Sequence, residues 1–243
     1  MALKVASAMI TGRGREAKGL LGQDYAFSLK KDNTACIALC DGVGSLENSG
    51  YAAEKIAKAV CEYMVENFSI LKNMSKETIR YNIFRNAKKA FDNAGYDKET
   101  MASTLIAACS DGEEIIIVHI GDGIAFLKEE AEAVVISSPE NDPKTGAVYA
   151  ISENADINHL RVQKVHIDNK ATIMITSDGP MNSLYNSMNK KIASATDTMM
   201  KWLEGYPEEI VCKQLEKNLA EVFRKNSADD LSIAILYADR KGL

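Results

Sequence analysis

A chain of 243 residues, 46% of them hydrophobic and 26% charged, has the make-up of an ordinary globular protein, and its length admits one large domain or two small ones. A formal net charge of −5 provides no basic face for a phosphate backbone, so no nucleic-acid partner is expected. No apolar stretch approaches the roughly 20 residues needed to span a bilayer, and the apolar run at the N-terminus is too short for a secretory segment; no membrane partner is expected.

In chain order, residues 3–11 and 25–29 read as strands. The loop between them, 12–24, holds Gly12, Gly14, Gly19 and Gly22, so it must take tight backbone angles. Asp32-Asn33 is a short polar turn into a strand ending at Asp41, which predicts a hairpin. Over 49–68 the apolar residues Ala52, Ile56, Val60, Tyr63 and Met64 fall three and four apart, the spacing of an amphipathic helix. A second helix starts from Ser75 as N-cap, with Ile79, Ile83, Ala87 and Phe91 on one face.

Strands at 102–109, 114–120, 124–127 and 133–136 then follow closely, and their short turns predict antiparallel neighbours. Residues 137–146 carry two prolines and read as an exposed loop before 147–151. Strands at 160–167 and 171–176 precede a polar, Met-rich stretch after Pro180, expected to be a cover or ordinary packing. Helical segments near 192–203 and 207–223 come next. In the second, Pro207 sits in the first turn and Val211, Leu215, Leu219 and Val222 form the buried stripe. Residues 231–237 close the chain as a strand. Absence of any linker or repeat, and of regular strand-helix alternation, points to antiparallel sheets covered by paired helices in a single domain, 1–243. The five cysteines form no CxxC pair and lie mostly in apolar runs; they are expected to be buried free thiols of a cytoplasmic protein.

The chemistry lies where apolar runs stop. Cys36-Ile37-Ala38-Leu39-Cys40 ends on Asp41-Gly42-Val43-Gly44-Ser45. Similar endings occur at Gly121-Asp122-Gly123 and Ser177-Asp178-Gly179, while Asp229-Asp230 precedes the last strand. Acids at strand ends with no adjacent base would repel one another in one cleft. Hard divalent cations such as Mg2+ or Mn2+ would hold them together.

With Gln23-Asp24 and Ala102-Ser103-Thr104 added, these stretches resemble the ordered motifs of the metal-dependent Ser/Thr protein phosphatases of type 2C, in the bacterial-type variant with Gln-Asp for Glu-Asp. The likeness runs from residue 12 to 237. It implies an α+β fold, a four-layer αββα sandwich of two antiparallel sheets flanked by helices. It also implies two Mg2+ or Mn2+ ions, with room for a third. Asp41 would bridge two ions, Gly42 would offer its carbonyl, and Asp178 and Asp229 would hold the other ion; motif order favours Asp229 over Asp230. Asp122 with Asp178 would match a third site, and Asp24 would act through a metal-bound water. Arg15, with Arg13 as the other candidate, would hold the incoming phosphate. The implied activity is hydrolysis of phosphomonoesters on phosphorylated protein substrates in signalling, by a two-metal-activated water.

The departures matter. Gln23 lacks the usual charge, Val43 stands where many relatives have a histidine, and Asp122-Gly123-Ile124 lacks the Ser-Arg that usually follows. They motivate two alternatives on the same fold: a catalytically weak pseudophosphatase that binds, and a small-molecule phosphomonoesterase. His119, His159 and His166 are expected to be structural or exposed, and oligomeric state is left open.

Overall fold

The structure is a computed structural model that describes residues 2–241. In chain order its elements are β1 (Ala2–Ile10), α1 (Arg13–Glu16), β2 (Asp24–Lys31), β3 (Thr34–Asp41), α2 (Ser49–Leu71), α3 (Lys76–Asp92), β4 (Leu105–Ser110), β5 (Glu114–Ile120), β6 (Ile124–Lys128), β7 (Val134–Ser137), β8 (Arg161–His166) and β9 (Lys170–Thr176). After these come α4 (Asp178–Leu184), β10 (Tyr185–Asn186), β11 (Lys191–Ile192), α5 (Ser194–Met200), α6 (Trp202–Gly205), α7 (Glu208–Glu221) and β12 (Leu231–Asp239). One antiparallel sheet has the order β1-β12-β9-β6-β7 and the other β2-β3-β4-β5-β8; β10 and β11 form a small separate hairpin.

Alternation along the strands sets the layers, because successive side chains leave opposite faces of a sheet. On β3, Cys36, Ala38 and Cys40 pack with Ile56, Val60 and Met64 of α2 and Ile79 and Ile83 of α3. Their neighbours Ala35, Ile37 and Leu39 face the other way, into a layer with Ile173 and Ile175 of β9 and Ala234 and Leu236 of β12. Ile233 and Ile235 of β12 turn outward onto Val211, Leu215 and Leu219 of α7. Helices, sheet, sheet, helices is the four-layer αββα sandwich the motif series implies. Strands buried on both faces carry near-continuous apolar runs: every residue of β4 and β6 is buried.

The parity argument also fixes where the acids go. Asp41 follows Ile37 and Leu39 on the inter-sheet face, and Asp24 is its register partner across the β2–β3 hairpin. Both carboxylates therefore stand at the end of the cleft between the sheets.

Several local expectations need correction. The 114–120 and 124–127 strands are not neighbours. The turn at Gly121-Asp122-Gly123 carries the chain from one sheet to the other, β5 pairing with β8 and β6 with β7 and β9. Gly121, at φ +124°, supplies a backbone that L side chains rarely adopt. The strand at 102–109 begins only at Leu105, and Ser103 makes isolated bridges to Gly42 and Ile151 instead. Residues 147–151 form no named strand. Arg13–Glu16 inserts a turn of helix into the expected loop. Pro207 is the N-cap of α7, not a residue of its first turn, and Val222 is exposed because the helix stops at Glu221, leaving Phe223 to complete the buried face. Ser75 caps α3 as expected, its Oγ accepting from the Thr78 N–H at 3.2 Å. All five cysteines are free, and all but Cys212 are buried.

Candidate active site

One cavity of about 450 Å³ at the end of the inter-sheet cleft is lined by six aspartates: Asp24, Asp41, Asp122, Asp178, Asp229 and Asp230. They arrive from separate strand ends, which is why their charges meet although the sequence keeps them far apart. Two cations, Arg15 and Lys18, share the lining, with Gln23, Gly42, Val43, Thr104 and Val148. Every acid expected at a metal is thus brought together here, with Gly42. Arg13 is not; its guanidinium donates to the Ser227 and Lys225 carbonyls.

Asp41 is held by its backbone, which leaves its carboxylate to the cavity. Its N–H donates to Thr104 Oγ1 at 2.9 Å, and its carbonyl accepts from the Thr104 N–H at 2.9 Å and Ser103 Oγ at 3.2 Å. The Ala102-Ser103-Thr104 motif is therefore a cradle for the end of β3. Gly42 follows because a Cβ there would stand 2.8 Å from the backbone of Ser49 and 3.0 Å from Cβ of Gln23.

Asp24 is buried, and Ser232 donates to its Oδ2 from 2.6 Å; Ser177 lies 3.0 Å from Ser232 Oγ. Its other oxygen, Oδ1, is buried with no hydrogen-bond partner among the described residues. Burial pushes the Asp24 carboxyl up to about 7, against the lowering effect of the two serine hydroxyls. Burial likewise raises Asp41 well above the carboxylate range, helped by the charges of Asp24 and Asp178. Asp178, in the first turn of α4, is raised to about 6 by burial and then by Asp122 and Asp229. Burial raises Asp122 as well.

Asp229 and Asp230 have different surroundings. Asp230 is buried, and its carboxylate accepts from the Gly12 and Gln23 N–H groups, both at 2.6 Å, with Arg15 Nε 3.9 Å away. It fastens the glycine-rich loop to the start of β12. Asp229 is exposed toward the cavity, and no donor reaches its carboxylate among the described residues.

Gln23 is also a fastener. Its Nε2 donates to the carbonyls of Leu46 and Glu47, and its Oε1 accepts from Arg15 Nη1 at 3.0 Å. Arg15 in turn spends Nε on the Leu21 carbonyl at 2.6 Å.

The Met-rich 181–200 stretch contributes nothing to this lining; Met199 and Met200 pack in the outer core and Met188 is exposed. His119 is buried with Nδ1 2.8 Å from Ser137 Oγ, His159 stacks on Tyr149, and His166 pairs with Glu114. Sequence reasoning missed Lys18 and Val148 at the cavity and the anchoring roles of Ser177 and Ser232. The two serines do lie inside the quoted motifs.

Among the described residues, no three His, Cys, Asp or Glu side chains stand as a ready-made metal cluster. The donor set nevertheless fits Mg2+ or Mn2+: it is all oxygen, it carries a large excess of negative charge, and it includes a buried carboxylate oxygen, Asp24 Oδ1, that no N–H or hydroxyl donor reaches among the described residues.

The family model described as Protein phosphatase 2C matches residues 11–224. The chain belongs to this family. As a protein phosphatase 2C it is a metal-dependent phosphoric monoester hydrolase, of a family dependent on Mg2+ or Mn2+. Solved structures share the fold at low identity. The serine/threonine phosphatase of S. agalactiae is 15% identical with a TM-score of 0.71, over 98% of this chain and 100% of that one. The Mycobacterium tuberculosis serine/threonine phosphatase PstP/Ppp is 16% identical with a TM-score of 0.67, over 98% of this chain and 100% of that one. A structure of the PstP catalytic domain in complex with two manganese ions is 15% identical with a TM-score of 0.67, over 98% of this chain and 99% of that one. No curated protein is similar enough in sequence to match.

Proposed function

We propose that this protein phosphatase 2C removes phosphate from serine or threonine of protein substrates, at the aspartate-lined cavity, with two divalent ions and room for a third. The observation that carries this reading is the meeting of Asp41, Asp122, Asp178 and Asp229 in one cavity with Asp24 behind them. Asp41, Asp178 and Asp229 with the Gly42 carbonyl would hold two ions, and Asp122 with Asp178 the third. When bound, the ions lower the pKa of a water, orient it and neutralise phosphoryl oxygens.

The chain's own residues do the rest. Thr104 and Ser103 fix Asp41, and Ser232 and Ser177 fix Asp24, so little reorganisation is needed when the ions enter. Without cations burial raises the carboxyls of Asp24, to about 7, and of Asp41, whereas bound divalent ions would favour their ionised forms. Val43 lines the cavity and has no proton to give, so protonation of the leaving alkoxide falls to water or another residue. A single unit covering the chain is our reading of the domain organisation, although residues 1, 242 and 243 lie outside the described residues. Among the described residues no helix is long and apolar enough to cross a membrane. A cytoplasmic setting is supported by the buried free thiols.

The test is hydrolysis of a phosphothreonine peptide with Mn2+. Activity is expected with Mn2+ and should vanish with chelator and in Asp41→Asn. Turnover that survives either change would refute the metal-site assignment.

A further inference from the structure

We propose that Arg161 and His119 are positioning residues for Asp122: they clamp residues 138–140 onto the Gly121-Asp122-Gly123 turn, and that clamp sets where the Asp122 carboxylate points in the cavity. This rests on the phosphatase reading above, in which Asp122 with Asp178 holds the third ion. Donors from elsewhere in the chain reach the backbone of Asp41 and the carboxylates of Asp24 and Asp230. Asp122 has only its own N–H as a donor among the described residues, so its aim depends on the turn that carries it. That turn is closely seated: a Cβ on Gly121 would stand 2.6 Å from Thr104 Cβ, and one on Gly123 2.7 Å from the Thr176 carbonyl. It is tied to the following loop through the Gly121 carbonyl, which accepts from the Glu140 N–H at 2.9 Å.

Strand register builds the clamp. His119 of β5 stands opposite Arg161 of β8. By alternation His119 shares the inter-sheet face with Ile115 and Ile117, so an imidazole is buried where its strand-mates are apolar. Its Nδ1 lies 2.8 Å from Oγ of Ser137, at the end of β7 in the opposite sheet, and 3.0 Å from Arg161 Nη2. A guanidinium can only donate, so Nδ1 accepts and the ring proton sits on Nε2. Burial and then the Arg161 charge push the His119 pKa well below the usual imidazole range, which keeps the ring neutral and able to accept. Nε2 is buried with no hydrogen-bond partner among the described residues, a cost that an apolar side chain here would not carry. The rest of Arg161 reaches the segment to be held: Nη1 donates to the Ser138 carbonyl at 2.6 Å, and Nε stands 3.1 Å from Glu140 Oε2. One planar fork thus joins His119 to residues 138–140, and the Glu140 N–H passes the tie on to Gly121, next to Asp122.

The experiment uses the full chain and compares wild type, Arg161→Ala, His119→Leu, His119→Asn, Asp122→Asn and the double variant of Asp122→Asn with Arg161→Ala. Readouts are phosphopeptide kinetics with Mn2+, calorimetric Mn2+ binding, melting temperature, and amide hydrogen exchange of the metal-free protein. Arg161→Ala and His119→Leu are expected to lower kcat and the affinity of the weakest Mn2+ site about tenfold or more. KM and the tighter Mn2+ sites should stay as in the wild type. Exchange at Glu140 should quicken while β3 and β12 keep their protection. His119→Asn, whose Oδ1 can still accept near the place of Nδ1, should recover most of the loss. In the Asp122→Asn background, Arg161→Ala should add less than about twofold. Undiminished kcat and weak-site affinity in Arg161→Ala, no recovery in His119→Asn, or losses that multiply in the double variant would each overturn the assignment. Should Arg161→Ala prove too unstable to measure, the contrast between His119→Leu and His119→Asn decides. If the wild type fails to hydrolyse phosphopeptide while weak-site Mn2+ binding still falls in Arg161→Ala, the functional reading falls and this assignment stands.

Discussion

Replacing Asp24 by Asn should flatten the pH dependence of stability of the metal-free protein. In the folded chain burial raises this carboxyl from 3.8 to about 7. A raised folded pKa means that the native state binds the proton more tightly than the unfolded chain. Its stabilising contribution is therefore whole below about 4 and is lost as pH rises to about 7. From pH 5 to pH 8 the loss spans roughly two units, or about 3 kcal/mol at 1.36 kcal/mol per unit. For a chain of this size that is roughly 5–10 °C in melting temperature. Asp41 shares the direction: its burial raises it first and the charge of Asp24 adds to that, so Asn at 24 removes Asp24's own contribution and lessens that of Asp41. The assay is thermal melting in chelator at several pH values for wild type and Asp24→Asn. Added Mn2+ should reverse the wild-type slope, since cation binding needs the ionised carboxylates. Equal pH slopes for the two metal-free proteins would refute the assignment of the buried charge to Asp24.

Two further outcomes follow from the geometry. Gly179→Ala sets a Cβ against the backbone carbonyl of Asp230, where neither side can yield easily. A cost of about 1–3 kcal/mol is expected, together with weaker Mn2+ binding as Asp178 and Asp229 part; calorimetry and melting unchanged from wild type would contradict it. Because Val43 gives no proton, wild-type kcat/KM should fall steeply as the leaving group becomes more basic. Val43→His should flatten that dependence by up to about 100-fold for alkyl phosphates, and an unaltered slope in a folded variant would refute the idea that the missing acid at 43 limits leaving-group departure.

Much of this protein was legible in the chain itself. Helical spacing in 49–68 and 75–91 located α2 and α3 because each buries one stripe, and apolar runs ending in Asp-Gly marked the strand ends that carry Asp41 and Asp178. The motif order named the acids that the structure gathers in one cavity. Local pattern also misled, most clearly at Gly121-Asp122-Gly123, where a short turn looked like a hairpin but passes between sheets. Both flanking strands are buried on two faces, so nothing in their composition tells which sheet each joins.

The different surroundings of Asp229 and Asp230 are visible only in three dimensions. Adjacent acids read alike in sequence, yet the N–H groups of Gly12 and Gln23, more than 200 residues away, engage Asp230 and leave its neighbour to the cavity. Sequence determines which groups are present and on which side of a strand they emerge. Which of them remain uncommitted depends on partners that long-range packing brings within hydrogen-bond reach.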